Sequence, residues 1–157
     1  MMGPEDNVNE PVAPRQRPGA TREWADGRGA PRILVAEDQA EMRVLLRRAL
    51  TRRGYEVVDA PDGPHLVQAI VDGLLAPQTL VPDLIVTDVR MPGYSGLEVL
   101  ARLRREGWTT PVILITAFGD AQLHEEAKQL GAACVLNKPF AMEDLCAAVE
   151  ALVPLER

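Results

Sequence analysis

Apolar positions along this chain fall into two alternating patterns. Consecutive runs occur at Ile33-Leu34-Val35-Ala36, Leu84-Ile85-Val86-Thr87, Val112-Ile113-Leu114-Ile115 and Cys134-Val135-Leu136. Each has strand length and is bounded by turn signals, the pattern of strands buried on both faces of a parallel sheet. Between the runs, apolar residues recur at helical spacing. Met42, Leu45, Leu46, Ala49 and Leu50 fall at i, i+3, i+4, i+7 and i+8 and predict an amphipathic helix facing inward along that stripe. Its other face carries Arg43, Arg47, Arg48, Arg52 and Arg53, a solvated arginine face. Gly54 stops this helix and Tyr55 to Ala60 reads as the second strand. A second helix is expected over about His65 to Leu75, with Pro82 leading into the third strand. Ser95 and Glu98 form a capping-box pattern opening a third helix, with Leu97, Leu100, Ala101 and Leu103 inward. Gly119-Asp120 precedes a fourth helix that stops at Gly131, and a fifth spans about Met142 to Val153 with Leu145, Ala148, Val149 and Leu152 inward. Five strand-helix units joined by right-handed crossovers cover both faces of a parallel sheet, an α/β fold.

The pattern begins only after Pro31. Before it, seven Pro and Gly positions from Pro4 to Gly29 mix with charges, and large apolar residues are scarce. Such a segment cannot bury enough surface to offset its ordering entropy, so residues 1–31 are expected to form a disordered tail. Trp24 is its one large ring, read as exposed or loosely docked. The folded part runs over residues 32–153, with 154–157 as a short end, and leaves no room for a second domain. No apolar run reaches bilayer length and the start has no apolar signal core, so neither a membrane span nor a secretory signal is expected. Net charge of -6 argues against direct, sequence-independent nucleic-acid binding. Cys134 and Cys146 are too few and too far apart for a metal cluster or a disulfide framework, and read as small buried hydrophobes in a reducing cytoplasm.

The strand ends carry the chemistry. Glu37-Asp38 follows the first run, Asp88 ends the third strand, Thr116 the fourth, and Lys138 follows the fifth. All carboxyl ends of a parallel sheet point one way, so these groups converge on the edge where such sheets bind ligands. Crowded carboxylates raise one another's pKa unless a cation sits among them. A hard divalent ion such as Mg²⁺ suits a few carboxylates together with phosphate oxygens and water. Asp88 can then act as a nucleophile toward a phosphoryl group, with Lys138 as a point charge and Thr116 as a hydroxyl donor. His65 and His124 have no ligand-spaced partner and read as surface residues.

Val35-Ala36-Glu37-Asp38, Val86-Thr87-Asp88-Val89-Arg90-Met91-Pro92-Gly93, Ile115-Thr116-Ala117 and Asn137-Lys138-Pro139-Phe140 together resemble the motifs of the response-regulator receiver domain. The resemblance spans about Arg32 to Val153. It implies a flavodoxin-like (βα)5 fold, a parallel five-stranded sheet of order 2-1-3-4-5 with helices on both faces. It also implies a phosphorylation switch in two-component signalling. Asp88 resembles the phospho-accepting aspartate. Asp38, Asp88 and the backbone carbonyl of Arg90 resemble the direct ligands of Mg²⁺ (or Mn²⁺), with Glu37 acting mainly through water. Thr116 and Lys138 resemble the hydroxyl and the lysine that meet the phosphoryl group, and Ala117 the small residue that leaves it room. Lys138-Pro139 resembles the family's cis bond. The implied donor is a histidine kinase or a histidine phosphotransfer protein, and the signal leaves by contact with a downstream protein or by onward phosphotransfer. Such a domain catalyses only its own phosphoryl transfer and dephosphorylation, in the cytoplasm.

Several positions depart from the family pattern. Val135 stands where an aromatic switch residue is usual, so output is expected through the loop Ala117-Phe118-Gly119-Asp120 and the fourth helix. The interval from Asp62 to Asp88 is longer by about two helical turns, with the extra residues at about Leu74 to Val81 in the second helix or its exit. Ala141 replaces the usual capping residue of the last helix, at a cost of about 1 kcal/mol. Arg90 and Phe118 are expected at the rim of the pocket, where their bulk would slow hydrolysis of an acyl phosphate. Two other classes of function compete. A phosphatase of the haloacid dehalogenase type is disfavoured because Arg90, not an acid, lies two residues after Asp88. A phosphate-independent pseudo-receiver acting as a docking module is kept open by Val135.

Overall fold

The structure, a computed structural model, describes residues 29–76, 80–117 and 121–155. Trp24, Phe118 and most of the tail 1–31 therefore lie outside the described residues. Five strands and five helices alternate: β1 (Arg32–Ala36), α1 (Ala40–Arg53), β2 (Glu56–Ala60), α2 (Gly63–Leu75), β3 (Leu84–Asp88), α3 (Gly96–Arg105), β4 (Val112–Thr116), α4 (Ala121–Gln129), β5 (Cys134–Asn137) and α5 (Met142–Leu152). The strands are parallel in the order β2-β1-β3-β4-β5, as the resemblance implied.

The apolar runs are continuous because the inner strands are covered twice. Strand side chains alternate between faces. Leu34, Ile85 and Leu114 pack into one layer with residues of α2, α3 and α4, while Ile33, Val86 and Ile113 pack into the other with residues of α1 and α5. Every residue of β3 and β4 is buried. Each fully buried Leu or Ile contributes about 1.5–3 kcal/mol, so these two strands form the rigid centre of the domain. The Tyr55 hydroxyl, buried before β2, donates to the Val153 carbonyl at 2.7 Å and ties the end of α5 to that frame.

Helix faces follow the periodicity with local corrections. Leu46 and Leu50 of α1 are buried, but Leu45 is 52% exposed. At about 100° per residue it lies at the margin of the stripe, too far round the helix to reach the sheet. In α5, Leu145, Cys146 and Val149 are buried, whereas the chain turns at Val153, which takes the inward place expected for Leu152. In α3, Val99 joins Leu100 and Leu103 in the core, with Leu97 and Ala101 half-buried. Helix α2 starts at Gly63, two residues before the expected point, because the Asp62 carboxylate accepts from the His65 amide at 2.8 Å and Pro64 suits the first turn. The capping box of α3 is complete: Ser95 Oγ accepts from the Glu98 amide and Glu98 Oε1 from the Ser95 amide.

In the long interval before β3, α2 ends at Leu75, and the described residues between it and β3 are not helical. Leu80 N–H donates to the Gly73 carbonyl at 2.8 Å, and Val81 is buried. A Cβ at position 73 would stand 2.2 Å from the Leu80 carbonyl oxygen, so the returning chain requires glycine there.

Candidate functional site

The sheet register delivers the chemistry to one edge. Ala36, the residue before Glu37, pairs with Thr87, the residue before Asp88; Asp88 pairs with Ile115, and Thr116 with Asn137. The carboxyl ends of β1, β3, β4 and β5 thus stand in one row. Beneath them, α3 approaches so closely that a Cβ on Gly96 would meet the Asp88 carbonyl oxygen at 2.5 Å. The Gly96 amide donates to the Val89 carbonyl at 2.9 Å, fixing the backbone just after Asp88.

Glu37, Asp88 and Thr116 are buried, Asp38 is exposed, and Lys138 reaches in from the β5 end. Lys138 Nζ lies 3.3 Å from Asp88 Oδ2 and 3.1 Å from Glu37 Oε1, and it donates to Glu37 Oε2 at 3.3 Å. The Lys138 amide donates to the Thr116 carbonyl at 2.7 Å, holding the β5 exit against β4. The Lys138–Pro139 bond is cis, as the resemblance implied. Glu37 is fixed from its own side of the site: Oε2 accepts from the Gln39 amide at 3.1 Å, and its carbonyl accepts from Arg43 Nη1 at 2.8 Å. Arg43 is therefore not part of the solvated arginine face to which periodicity assigned it. Its bond spans the turn between β1 and α1, which helical spacing alone does not reveal.

Electrostatics in the site are unbalanced. Burial, then the Glu37 carboxylate, push the Asp88 carboxyl up to about 7, against the pull of Lys138. Burial opposes the charge on Lys138, but the Glu37 hydrogen bond and the two carboxylates outweigh it and raise its pKa. Carboxylate oxygens of Glu37, Asp38 and Asp88 lie within 4.8 Å of one another, three acids facing one ammonium. Glu37 Oε1 is buried and accepts no well-directed hydrogen bond among the described residues, although Lys138 Nζ is in ion-pair range. A buried carboxylate oxygen left in that condition, in an all-oxygen donor set with excess negative charge, fits a hard divalent cation.

Other expected residues take the following places. Arg90 is exposed two residues beyond β3, and Ala117 is exposed just beyond β4. Val135, on β5 opposite Leu114, is half-buried against the α2–α4 layer, which is sheet packing. Cys146 is buried as expected, while Cys134 is half-buried. His65 lies 2.7 Å from Asp62 at an exposed helix start. His124 is not a bare surface residue: its Nε2 lies 3.0 Å from Asn137 Oδ1, linking α4 to the end of β5. Nothing in the local sequence of α4 signals that bond, since its partner is thirteen residues away on another element.

Known proteins share this arrangement of elements. A family model described as the response regulator receiver domain matches residues 33–150. The transcriptional regulatory protein TcrA of Mycobacterium tuberculosis is 42% identical over 121 residues, 77% of this chain and 45% of that protein. The chain thus spans less than half the length of that relative. Sporulation initiation phosphotransferase F of Bacillus subtilis is 30% identical over 125 residues, which cover 80% of this chain and 95% of that one. Among solved structures, the response regulator TrrA of Thermotoga maritima, in complex with Mg²⁺ and BeF, is 30% identical, with a TM-score of 0.66 over 78% of this chain and 98% of that chain. The receiver domain of the Francisella response regulator 1452 is 28% identical, with a TM-score of 0.69 over 78% and 96%.

Proposed function

The chain belongs to the response regulator receiver family, and on that premise we propose that Asp88 accepts a phosphoryl group from the phosphohistidine of a histidine kinase or histidine phosphotransfer protein. The observation that carries this reading is the meeting of Asp88, Glu37 and Lys138 at one buried edge, with an ammonium 3.3 Å from the nucleophilic carboxylate. Mg²⁺ or Mn²⁺ would be held by Asp38, Asp88 and the backbone carbonyl of Arg90, with Glu37 acting mainly through water. Bound there, the cation supplies neutralisation of the charge on phosphoryl oxygens. TrrA, whose solved complex holds Mg²⁺ and BeF, supports that ligand class for the same fold.

In the transfer, an ionised Asp88 oxygen forms a bond to phosphorus as the phosphorus–nitrogen bond breaks, and the departing imidazole takes up a proton. Lys138 then exchanges part of its contact with Asp88 for a phosphoryl oxygen, and the Thr116 hydroxyl donates to another. Ala117, with no more than a methyl group, leaves the entrance open. The acyl phosphate carries about two negative charges where the ionised carboxylate carried one, a net gain of about one in a site that already holds excess negative charge. Movement of Thr116 and Lys138 shifts the β4 and β5 exits and biases a two-state equilibrium at α4 and α5. The exposed residues Gln122, Glu125, Glu126 and Gln129 lie on that surface. Val135 provides no ring to rotate there, so the backbone beyond Ala117 carries the change.

The signal leaves by contact with a downstream protein or by onward phosphotransfer, without direct contact of this chain with nucleic acid. The reading implies a cytoplasmic protein, and no helix among the described residues is long and apolar enough to cross a membrane. Intact-mass measurement after incubation with Mg²⁺ and a small acyl phosphate tests it. One added phosphoryl group on the natural chain, absent from Asp88→Asn and abolished by chelation, is expected. Failure of both proteins to gain mass would favour the phosphate-independent docking module.

A further inference from the structure

On the face of the sheet opposite α1 and α5, a groove of about 790 Å³ opens between α2 and α3. Trp108 lies in its wall, while Val71, Leu74 and Tyr94 at its margin are 37%, 38% and 49% exposed. Isolated exposed apolar residues are ordinary, but a contiguous set around a groove of this size marks an interaction surface. The phosphoryl chemistry at the strand ends makes no use of it.

The chain's own course points to an occupant. Helix α2 packs over β2 and β1, and α3 over β4, so the groove between them runs above the β1–β3 seam. Both helices end at the edge of the sheet where β1 begins, because crossover helices run opposite to the strands. The described chain starts at Gly29, three residues before β1, and so enters the fold from that same edge of the sheet. Trp24 precedes Arg32 by eight residues, an extended reach of about 26 Å. The ten residues of α3 rise only about 15 Å, so that reach covers the height of the groove.

The rim, with Glu98, Arg102, Arg105 and Glu106, has no net charge and leaves one local match to make. Arg102 on the rim is paired with Glu106 at 3.2 Å, whereas Arg105 has no ion pair among the described residues. Around Trp24, Glu23 and Asp26 alternate with Arg22 and Arg28, so the segment offers a carboxylate without a net charge of its own. An indole with acidic neighbours offers an apolar body to Val71 and Leu74 and a carboxylate to Arg105. We propose that the groove between α2 and α3 is a docking site for this chain's own segment around Trp24, which straps across it and covers the exposed apolar margin. The proposal is independent of the phosphoryl reading and can be tested without phosphorylation.

The test uses the full chain labelled with 5-fluorotryptophan. Trp24 and Trp108 are its two tryptophans, and Trp24→Phe assigns their fluorine resonances. The expected result is a Trp24 signal displaced from its position in urea, with acrylamide accessibility several-fold lower. Leu74→Lys and Arg105→Glu should each return it toward the unfolded value. Arg105 is exposed, so the second variant keeps the test valid if the first perturbs folding. A Trp24 as accessible as in urea would overturn the proposal, as would protection that neither substitution alters. Protection that disappears on dilution, with sedimentation showing a dimer, would instead assign the groove to the tail of a second copy and overturn docking within one chain.

Discussion

Lys138 Nζ stands 3.3 Å from Asp88 Oδ2 although Lys138 follows β5, which is not a neighbour of Asp88's strand β3 in the sheet. The lysine reaches past β4 to a carboxylate on the central strand. Because the contact crosses the site, it links the segment before α5 to the residue read as the phosphoryl acceptor.

Removing that ammonium leaves Glu37 and Asp88 facing each other without a counter-charge. Breaking a fully buried pair costs about 3–5 kcal/mol, and the partly exposed Lys138 warrants a smaller figure, about 2 kcal/mol for Lys138→Met. Urea unfolding with a chelator present measures it. Adding Asp88→Asn to Lys138→Met should recover part of the loss, because one of the two repelling charges is then gone.

Divalent metal should stabilise the fold through the same acids. A cation at 100 times its dissociation constant adds about 2.7 kcal/mol if it binds only the native state. Thermal unfolding across a Mg²⁺ titration should show the natural chain rising in Tm. Asp38→Asn, which alters an exposed side chain and removes a carboxylate from the cluster, should respond weakly or not at all.

The start of α5 leaves room for improvement. Ala141 occupies the N-cap with extended backbone and makes no side-chain capping bond. Ala141→Ser should accept from an exposed amide of the first turn and gain about 1 kcal/mol. Chemical denaturation should show a higher midpoint with an unchanged denaturant slope.

Alkaline unfolding should report on Tyr55. Burial, followed by the charge of Glu150, pushes its hydroxyl up to about 12 from the ordinary 10. Folding therefore favours the protonated form: that contribution is complete below pH 10 and is lost as pH rises through the folded value. Melting curves over this range should fall more steeply for the natural chain than for Tyr55→Phe. At neutral pH the variant should lose about 1 kcal/mol for the missing bond to Val153.

Much of this was legible before any coordinates. Unbroken apolar runs bounded by turn residues identify doubly covered strands, and a parallel sheet can gather their ends only at one edge. Asp88, Thr116 and Lys138 follow from that logic. What periodicity could not supply was where a helix outruns its sheet. Leu45 and Leu152 sit in regular apolar patterns, yet one lies at the stripe's margin and the other at the last turn of α5. Nor could it supply contacts between distant segments. The grip of Arg43 on the Glu37 carbonyl and of His124 on Asn137 depends on how neighbouring elements pack. The early start of α2 was different: Asp62 and Pro64 carry a recognisable capping signal.

The central claim is that Asp88 is the phosphoryl acceptor, and chemical trapping tests it most directly. After incubation with Mg²⁺ and a small acyl phosphate, borohydride reduction converts an aspartyl phosphate to homoserine, which peptide mass spectrometry locates in the sequence. Homoserine at position 88, lost when a chelator replaces Mg²⁺, is the predicted result. Homoserine at another acidic residue, or none under conditions where the acyl phosphate remains intact, would contradict it.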